Sequence, residues 1–195
     1  MMARFASLSC ALLAIAAVAS AQPAEKPPAP TPTFQLGPEL WQGARIGMTQ
    51  DQVSVLFPKA APSKGELLPS GARSALIADT IAGGTPAKAQ FYFDTSGLTS
   101  VIIDRPDVAP GKTDENLAKA RQVIDEVTAA HGSPNKCDEQ RRLAALTCSW
   151  KLGQTKAVVS YRDVAGAAPS LSIAYRKADD VKRWAPGPVK KLKLR

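Results

Sequence analysis

Residues 90–104 read QFYFDTSGLTSVIID, and this stretch carries the clearest sheet pattern in the chain. Gln90–Phe93 is rich in aromatic residues and predicts a strand, while Asp94–Gly97 supplies four residues with strong turn chemistry. The chain then returns through Leu98–Asp104, where apolar residues lie on both faces of the second half. This pattern predicts an antiparallel hairpin whose second strand is central in a sheet or covered on both sides.

Helical patterns lie on both sides of this hairpin. Before it, Thr49 and Gln52 have the spacing of a capping box and predict a short helix that ends near Pro58. After it, Thr113 is predicted to cap a longer helix that ends at Gly132. Further strands are predicted at Ser74–Ile81, Lys136–Gln140, Ala145–Leu152, Thr155–Val164 and Ser170–Arg176.

The predicted order is therefore helix, strands, helix, strands. Strands joined by short turns imply antiparallel sheet, and helices packed on one sheet face imply the α+β class. We predict two helix-plus-antiparallel-meander units, at residues 34–106 and 107–180, with their helices packed on one sheet face. The repeated order of elements indicates a divergent duplication.

The first residues have the pattern of a secretory signal peptide. Arg4 precedes an apolar run from Leu8 to Val18, and small residues precede a cleavage site between Ala21 and Gln22. The run is shorter than the about 20 residues that a membrane anchor needs. We predict a signal peptide at residues 1–21, a Pro/Ala-rich linker at 22–33 and a periplasmic or secreted mature chain without a transmembrane segment.

The charge balance favours anionic partners. The chain has 25 Lys and Arg against 17 Asp and Glu, a formal net charge of +8. This suits an anionic membrane surface or an acidic envelope protein. Nucleic acid would also match the charge, but export and an aromatic content of only 6% argue against it.

Residues 181–195 form a predicted basic tail. A solvated end is the alternative interpretation, because Pro186 and Pro188 prevent a continuous amphipathic helix. The candidate residues for binding an anionic surface are Lys182, Arg183, Trp184, Lys190, Lys191, Lys193 and Arg195.

Cys137 and Cys148 are predicted to form a disulfide bond. Cys10 lies within the signal peptide, which leaves these two in an exported chain. A hairpin that turns near Arg142 and Leu143 would place them opposite each other, with Cα atoms about 4.4–6.8 Å apart. The alternative is a pair of free thiols in a redox or metal site, against which the absence of Cys-x-x-Cys argues.

No catalytic, metal-binding or cofactor-binding residue is identified. The Gly-Lys-Thr at 111–113 lacks the glycine of a phosphate loop, since that position is Pro106. His131 is the single histidine, and its place at a helix end favours a capping role over a metal or triad role. No nucleophile elbow or carboxylate pair is recognisable.

Two segments resemble the small outer-membrane proteins of the BamE/SmpA type. These are the Gly47-Met48-Thr49-x-x-Gln52-Val53-x-x-Leu56 stretch with Pro58, and Tyr92-Phe93-Asp94-x-x-Gly97-Leu98-x-x-Val101. A duplicated unit of this kind resembles the β-lactamase-inhibitor-protein fold. The resemblance implies a protein-binding module without catalysis. The chain departs from the family in having no cysteine usable for lipid attachment.

We therefore expect an exported, non-catalytic binding module of the cell envelope that engages a protein or an anionic envelope component. The alternative is a secreted envelope hydrolase with an unrecognised active site. A pocket that gathers several titratable groups would favour the hydrolase. A broad sheet face with exposed aromatic or aliphatic residues would favour the binding module.

Overall fold

The computed structural model describes residues 36–140 and 143–178. The predicted signal peptide, the linker at 22–33 and the basic tail at 181–195 lie outside the described residues. Within the described part the chain forms ten strands and two helices. Their bounds are β1 (Glu39–Trp41), β2 (Ala44–Arg45), α1 (Gln50–Leu56), β3 (Ala61–Pro62), β4 (Arg73–Ala82), β5 (Thr85–Asp94), β6 (Gly97–Arg105), α2 (Thr113–His131), β7 (Lys136–Gln140), β8 (Ala145–Leu152), β9 (Thr155–Arg162) and β10 (Ser170–Lys177).

Eight of these strands form one antiparallel sheet in the order β3-β4-β5-β6-β10-β9-β8-β7, and β1 and β2 form a separate two-stranded ribbon. The prediction of two helix-plus-meander units is therefore wrong, because the sheet is continuous across the proposed boundary at residue 106. The junction is the pairing of β6 with β10, in which Ile103 lies opposite Ile173. Two separate meanders would each leave one of these apolar strands with an unpaired edge, and the pairing removes both edges.

The fold is dominated by this sheet rather than by helices. The helix α1 has only seven residues, and α2 is the one long helix among the described residues. Alternate side chains of the central strands point to one side, where they are fully buried. This side, which we call the covered face, packs against α2 over β8 and β9 and against α1 and β1 over β4, β6 and β10.

Aromatic and aliphatic residues fill the core of the covered face. Trp150 is 1% exposed, and its indole Nε1 donates a 2.9 Å hydrogen bond to the carbonyl oxygen of Gly132 at the end of α2. At the other end of the core, Phe57 stacks on Trp41 and lies 4.7 Å from the ring centroid of Phe91. These contacts attach both helices to the sheet.

The two predicted helix starts have different outcomes. The capping box of α1 is confirmed, because the Thr49 hydroxyl accepts from the amide of Gln52 and the Gln52 side chain accepts from the amide of Thr49. The prediction that Thr113 caps α2 is wrong. Lys112 is the N-cap of α2, and the Thr113 hydroxyl donates a 2.8 Å hydrogen bond to Asp163. A tertiary contact has taken the hydroxyl that a local cap would use.

The turn after β5 packs directly against the loop before α1. The amide of Gly47 donates to the carbonyl of Leu98 at 2.9 Å, and the amide of Leu98 donates to the carbonyl of Met48 at 2.8 Å. Gly97 has φ of +102°, and a Cβ atom there would lie 2.5 Å from the carbonyl oxygen of Gly47. The two segments that carry the family resemblance therefore form one local structure, which only glycine at position 97 permits.

Candidate binding surface

The side of the eight-stranded sheet opposite the covered face is the candidate binding surface, and we call it the second face. Directly paired residues point to the same side of a sheet, so the strand register arranges this face in rows that cross the strands. Its middle row contains Ile77, Gln90, Ile102, Ala174, Val158 and Ser149. All six are partly exposed.

The chemistry of the middle row differs from that of the core. Its aliphatic members, Ile77, Ile102, Ala174 and Val158, lie on strands that also present fully buried residues to the covered face. The next row contains Ser172, Ser160 and Thr147 on β10, β9 and β8. Small side chains leave a surface on which another molecule can approach the sheet closely.

Basic side chains gather at one end of the second face. Arg176 of β10 lies directly opposite Lys156 of β9, and Lys156 lies directly opposite Lys151 of β8. On β7, Lys136 lies opposite Ser149, which is two residues from Lys151 on the same side of β8. We call Lys136, Lys151, Lys156 and Arg176 the basic cluster.

The register of the basic cluster places like charges side by side. Partial burial lowers the pKa of the Lys156 ammonium, and the positive charges of Arg176, Lys151 and Lys136 lower it further. Within the described ranges, no carboxylate lies within 4.0 Å of Lys136, Lys151 or Lys156. The three lysines therefore form no ion pair with a described carboxylate. Like charges directly opposite each other destabilise a sheet.

A polar network occupies the β5–β6 part of the second face. The Tyr92 hydroxyl donates a 2.8 Å hydrogen bond to the Gln90 side-chain oxygen, and the Gln90 amide donates to Asp104 at 3.1 Å. Burial raises the pKa of Asp104, and the Glu66 carboxylate raises it further. Burial, Glu66 and Asp104 also raise the pKa of Tyr92. The second face thus carries Asp104 on β6 and the basic cluster on β7 to β10, together with Lys88 opposite Asp104 and Asp138 opposite Thr147.

The cysteine pair is placed as predicted on a hairpin. Cys137 of β7 lies directly opposite Cys148 of β8, at disulfide-bonding distance. Their Cα atoms are 4.1 Å apart, slightly closer than the predicted range. All five residues of β7 are exposed, so this edge strand gains little from burial. The covalent link and the 3.2 Å ion pair of Glu139 with Arg121 of α2 attach β7 to the rest of the fold.

The covered face has a groove of about 220 Å³ beside α2. Its lining is mostly apolar, with Trp41, Ile103 and Ile173 among the contributors, and its titratable members are Glu126 and Tyr175. The His131 ring lies 6.0 Å from the Tyr175 ring, edge to face. In the described part of the chain, no three His, Cys, Asp or Glu residues are placed to hold a metal ion.

Sequence reasoning found the cysteine pair but missed the basic cluster. Its four members come from four strands, and only the register brings them together. One local signal was available: the two-residue turn at Gly153 and Gln154 places Lys151 opposite Lys156. The predicted anionic-surface residues of the tail, from Lys182 to Arg195, lie outside the described residues.

Comparison with known proteins yields no relative. No protein-family model matches this chain, and no curated protein or solved structure matches it. Among the described residues, neither helix has the length and apolar character needed to cross a bilayer.

Proposed function

We propose that this chain is an exported, non-catalytic binding module of the cell envelope, and that its partner docks on the second face. The observation that carries the proposal is that, within residues 36–140 and 143–178, both helices pack on the same side of the eight-stranded sheet. The helices and the β1–β2 ribbon pack on the covered face, while the second face presents partly exposed Ile77, Ile102 and Val158. Aliphatic residues beside charged rows are suited to a protein or envelope surface.

The electrostatics of the second face support the same proposal. A surface that presents a cluster of basic side chains can orient a partner whose charges are complementary. The repulsion within the basic cluster would be relieved when an anionic group binds there. The predicted signal peptide supports a location of this surface in the envelope or outside the cell.

The docking part of the proposal is tested by site-specific photocrosslinking in intact producing cells. A photoreactive amino acid replaces Ile102 in the middle row, and a matched variant carries it at Asp125, which is exposed on α2. We expect a discrete covalent adduct from position 102 that excess unmodified protein suppresses, and none from position 125. Equal adducts at both positions, or none at position 102, would overturn the proposal.

The export part has a separate test. The protein is recovered from the periplasm or the medium, and its N-terminus is sequenced. We expect the chain to begin at Gln22, after the small residues that precede the cleavage site. A recovered chain that still begins at Met1 or Met2 would contradict cleavage.

A further inference from the structure

We infer that the outer edge of β7 pairs with the same edge of a second copy of this chain, so that two eight-stranded sheets join into one across a two-fold axis. This inference goes beyond the proposed function, which concerns the second face. It depends on three observations, which concern the strand edge, the direction of its backbone groups and the pattern of its charges.

The first observation is that β7 is an open edge. It is the last strand in the sheet order, and among the described strands only β8 pairs with it. All five of its residues are exposed, and none of them is proline. The opposite edge differs, because β3 has only two residues and one of them, Pro62, has no amide proton to donate. An exposed edge such as that of β7 is a template for pairing with another chain.

The second observation is the direction of the backbone groups along β7. The Cα atoms of Cys137 and Cys148 lie 4.1 Å apart, which is the close spacing of a pair that exchanges no backbone hydrogen bonds. The neighbouring pair agrees, since the carbonyl of Ser149 accepts a 2.8 Å hydrogen bond from the amide of Asn135 and so points toward β7. Backbone groups alternate in direction along a strand, so the amide and carbonyl of Cys137 point away from β8. A further strand can bond to them there.

The third observation is the charge pattern, which selects a second copy as the occupant. Lys136 and Asp138 are two residues apart and point to the second face. In a two-fold antiparallel pairing, each residue lies opposite one that points to the same side. A pairing centred on Lys136 or on Asp138 would place like charges opposite each other. A pairing centred on Cys137 places Lys136 of each copy opposite Asp138 of the other.

The pairing centred on Cys137 satisfies the backbone and the side chains together. The two Cys137 residues can exchange their outward-pointing backbone hydrogen bonds. Lys136 forms no ion pair with a described carboxylate. Asp138 accepts one 3.0 Å hydrogen bond from Gln140 and has further lone pairs for a lysine. Because the two-fold axis is perpendicular to the sheet, the second faces of both copies lie on the same side and form one continuous surface.

The test measures association of the exported protein by sedimentation velocity over a range of concentrations at low salt. Lys136→Asp leaves two acidic residues at the β7 edge, and Asp138→Lys leaves two basic ones. The combined Lys136→Asp/Asp138→Lys variant exchanges the two charges. The matched control, Lys59→Asp, makes the first change at an exposed lysine near β3, the opposite edge of the sheet. Far-ultraviolet circular dichroism and thermal unfolding verify that every variant folds.

We expect the parent protein to form a dimer. Each single β7 variant replaces two opposite-charge pairs by two like-charge pairs and should raise the dissociation constant about tenfold or more. The exchange variant should return it to within about threefold of the parent value, because opposite charges again face each other. Lys59→Asp should also stay within about threefold, since charges farther from the contact than the Debye length of about 8 Å are screened. An equimolar mixture of the two single variants should form a mixed dimer.

Three results would overturn the inference. One is a parent protein that remains monomeric up to its solubility limit. Another is a dimer that neither single β7 variant weakens, or that the exchange variant fails to restore. The last is a dimer that Asp138→Asn strengthens, which would indicate that Asp138 faces itself across the axis. The crosslinking experiment at position 102 is independent of these results, so the proposed function stands if the dimer is absent.

Discussion

The two faces of the eight-stranded sheet are built from the same strands but differ in burial and in charge. Val159 points to the covered face and is 0% exposed, whereas the adjacent Val158 points to the second face and is partly exposed. The covered face holds a continuous core from Trp41 to Trp150. The second face holds like charges side by side, which folding does not require. The difference agrees with the proposal that the covered face stabilises the fold and that the second face binds the partner.

The largest expected effect on stability comes from removing the cysteine pair that attaches β7, the strand that carries Lys136. Replacing both Cys137 and Cys148 by Ala should lower the free energy of unfolding by about 2–3 kcal/mol, because the denatured chain loses its closed loop. Urea denaturation measures the loss. Reductant should destabilise the parent by a similar amount and leave the double variant unchanged.

A thiol titration of the denatured, unreduced exported protein checks the state of the same pair. We expect no reactive thiol, since both cysteines are bonded to each other. Two reactive thiols would show that the pair is reduced and that β7 is attached without a covalent link.

The next prediction compares the same substitution at two adjacent valines, one on each face of the sheet. Val159→Ala removes two buried methyl groups and should lower the free energy of unfolding by about 2 kcal/mol. Val158→Ala makes the same change on the second face and should cost less than about 1 kcal/mol. Urea denaturation of both variants gives the difference. Equal losses would mean that the second face is packed as tightly as the core.

The smallest expected effect is a gain in stability, whereas the substitutions above all lower it. Lys156→Met keeps the apolar stem and removes the middle charge of the row, so it should raise the free energy of unfolding by about 0.2–1 kcal/mol at pH 7 and low salt. High salt should abolish the gain by screening the repulsion. A stability loss, or a gain that salt does not alter, would show that repulsion within the basic cluster is not significant.

The pH dependence of the same variant follows from linkage. The pKa of Lys156 is lowered in the folded protein, so the unfolded chain binds more protons between the folded and unfolded pKa values. Stability of the parent should therefore rise as the pH increases through that interval toward about 10.4, the ordinary lysine value. The stabilisation by Lys156→Met should be full below the folded pKa and should decline over that interval.

Local patterns predicted many of the individual strands and helices, whereas the single eight-stranded sheet depends on long-range register and was not predicted. The hairpin at residues 90–104 and the Thr49 capping box follow from neighbouring residues, and both are present. The pairing of β6 with β10 joins strands separated by a helix and three other strands, so no local pattern specifies it. The two- and three-residue strands β1 to β3 are too short to show a periodicity.

The start of β5 shows why one boundary was misplaced. The predicted strand began at Gln90, but β5 begins at Thr85 and includes Pro86 and Lys88. Pro86 and Lys88 have low strand propensity. Pairing with β4 on one side and β6 on the other overrides that preference. The basic cluster was missed for a related reason, because its members are neighbours across strands rather than along the sequence.

The most direct test of the second face as the binding surface measures which side of the sheet changes its environment when the protein binds vesicles. Val158→Cys and Asp125→Cys each receive an environment-sensitive fluorophore, on the second face and on α2 respectively, and the exported proteins are mixed with phosphatidylglycerol-containing vesicles. We expect a blue-shifted, brighter emission at position 158, no change at position 125, and no change at either position with phosphatidylcholine alone. A shift at position 125 without one at position 158, or binding that shifts neither, would contradict the assignment of the second face as the binding surface.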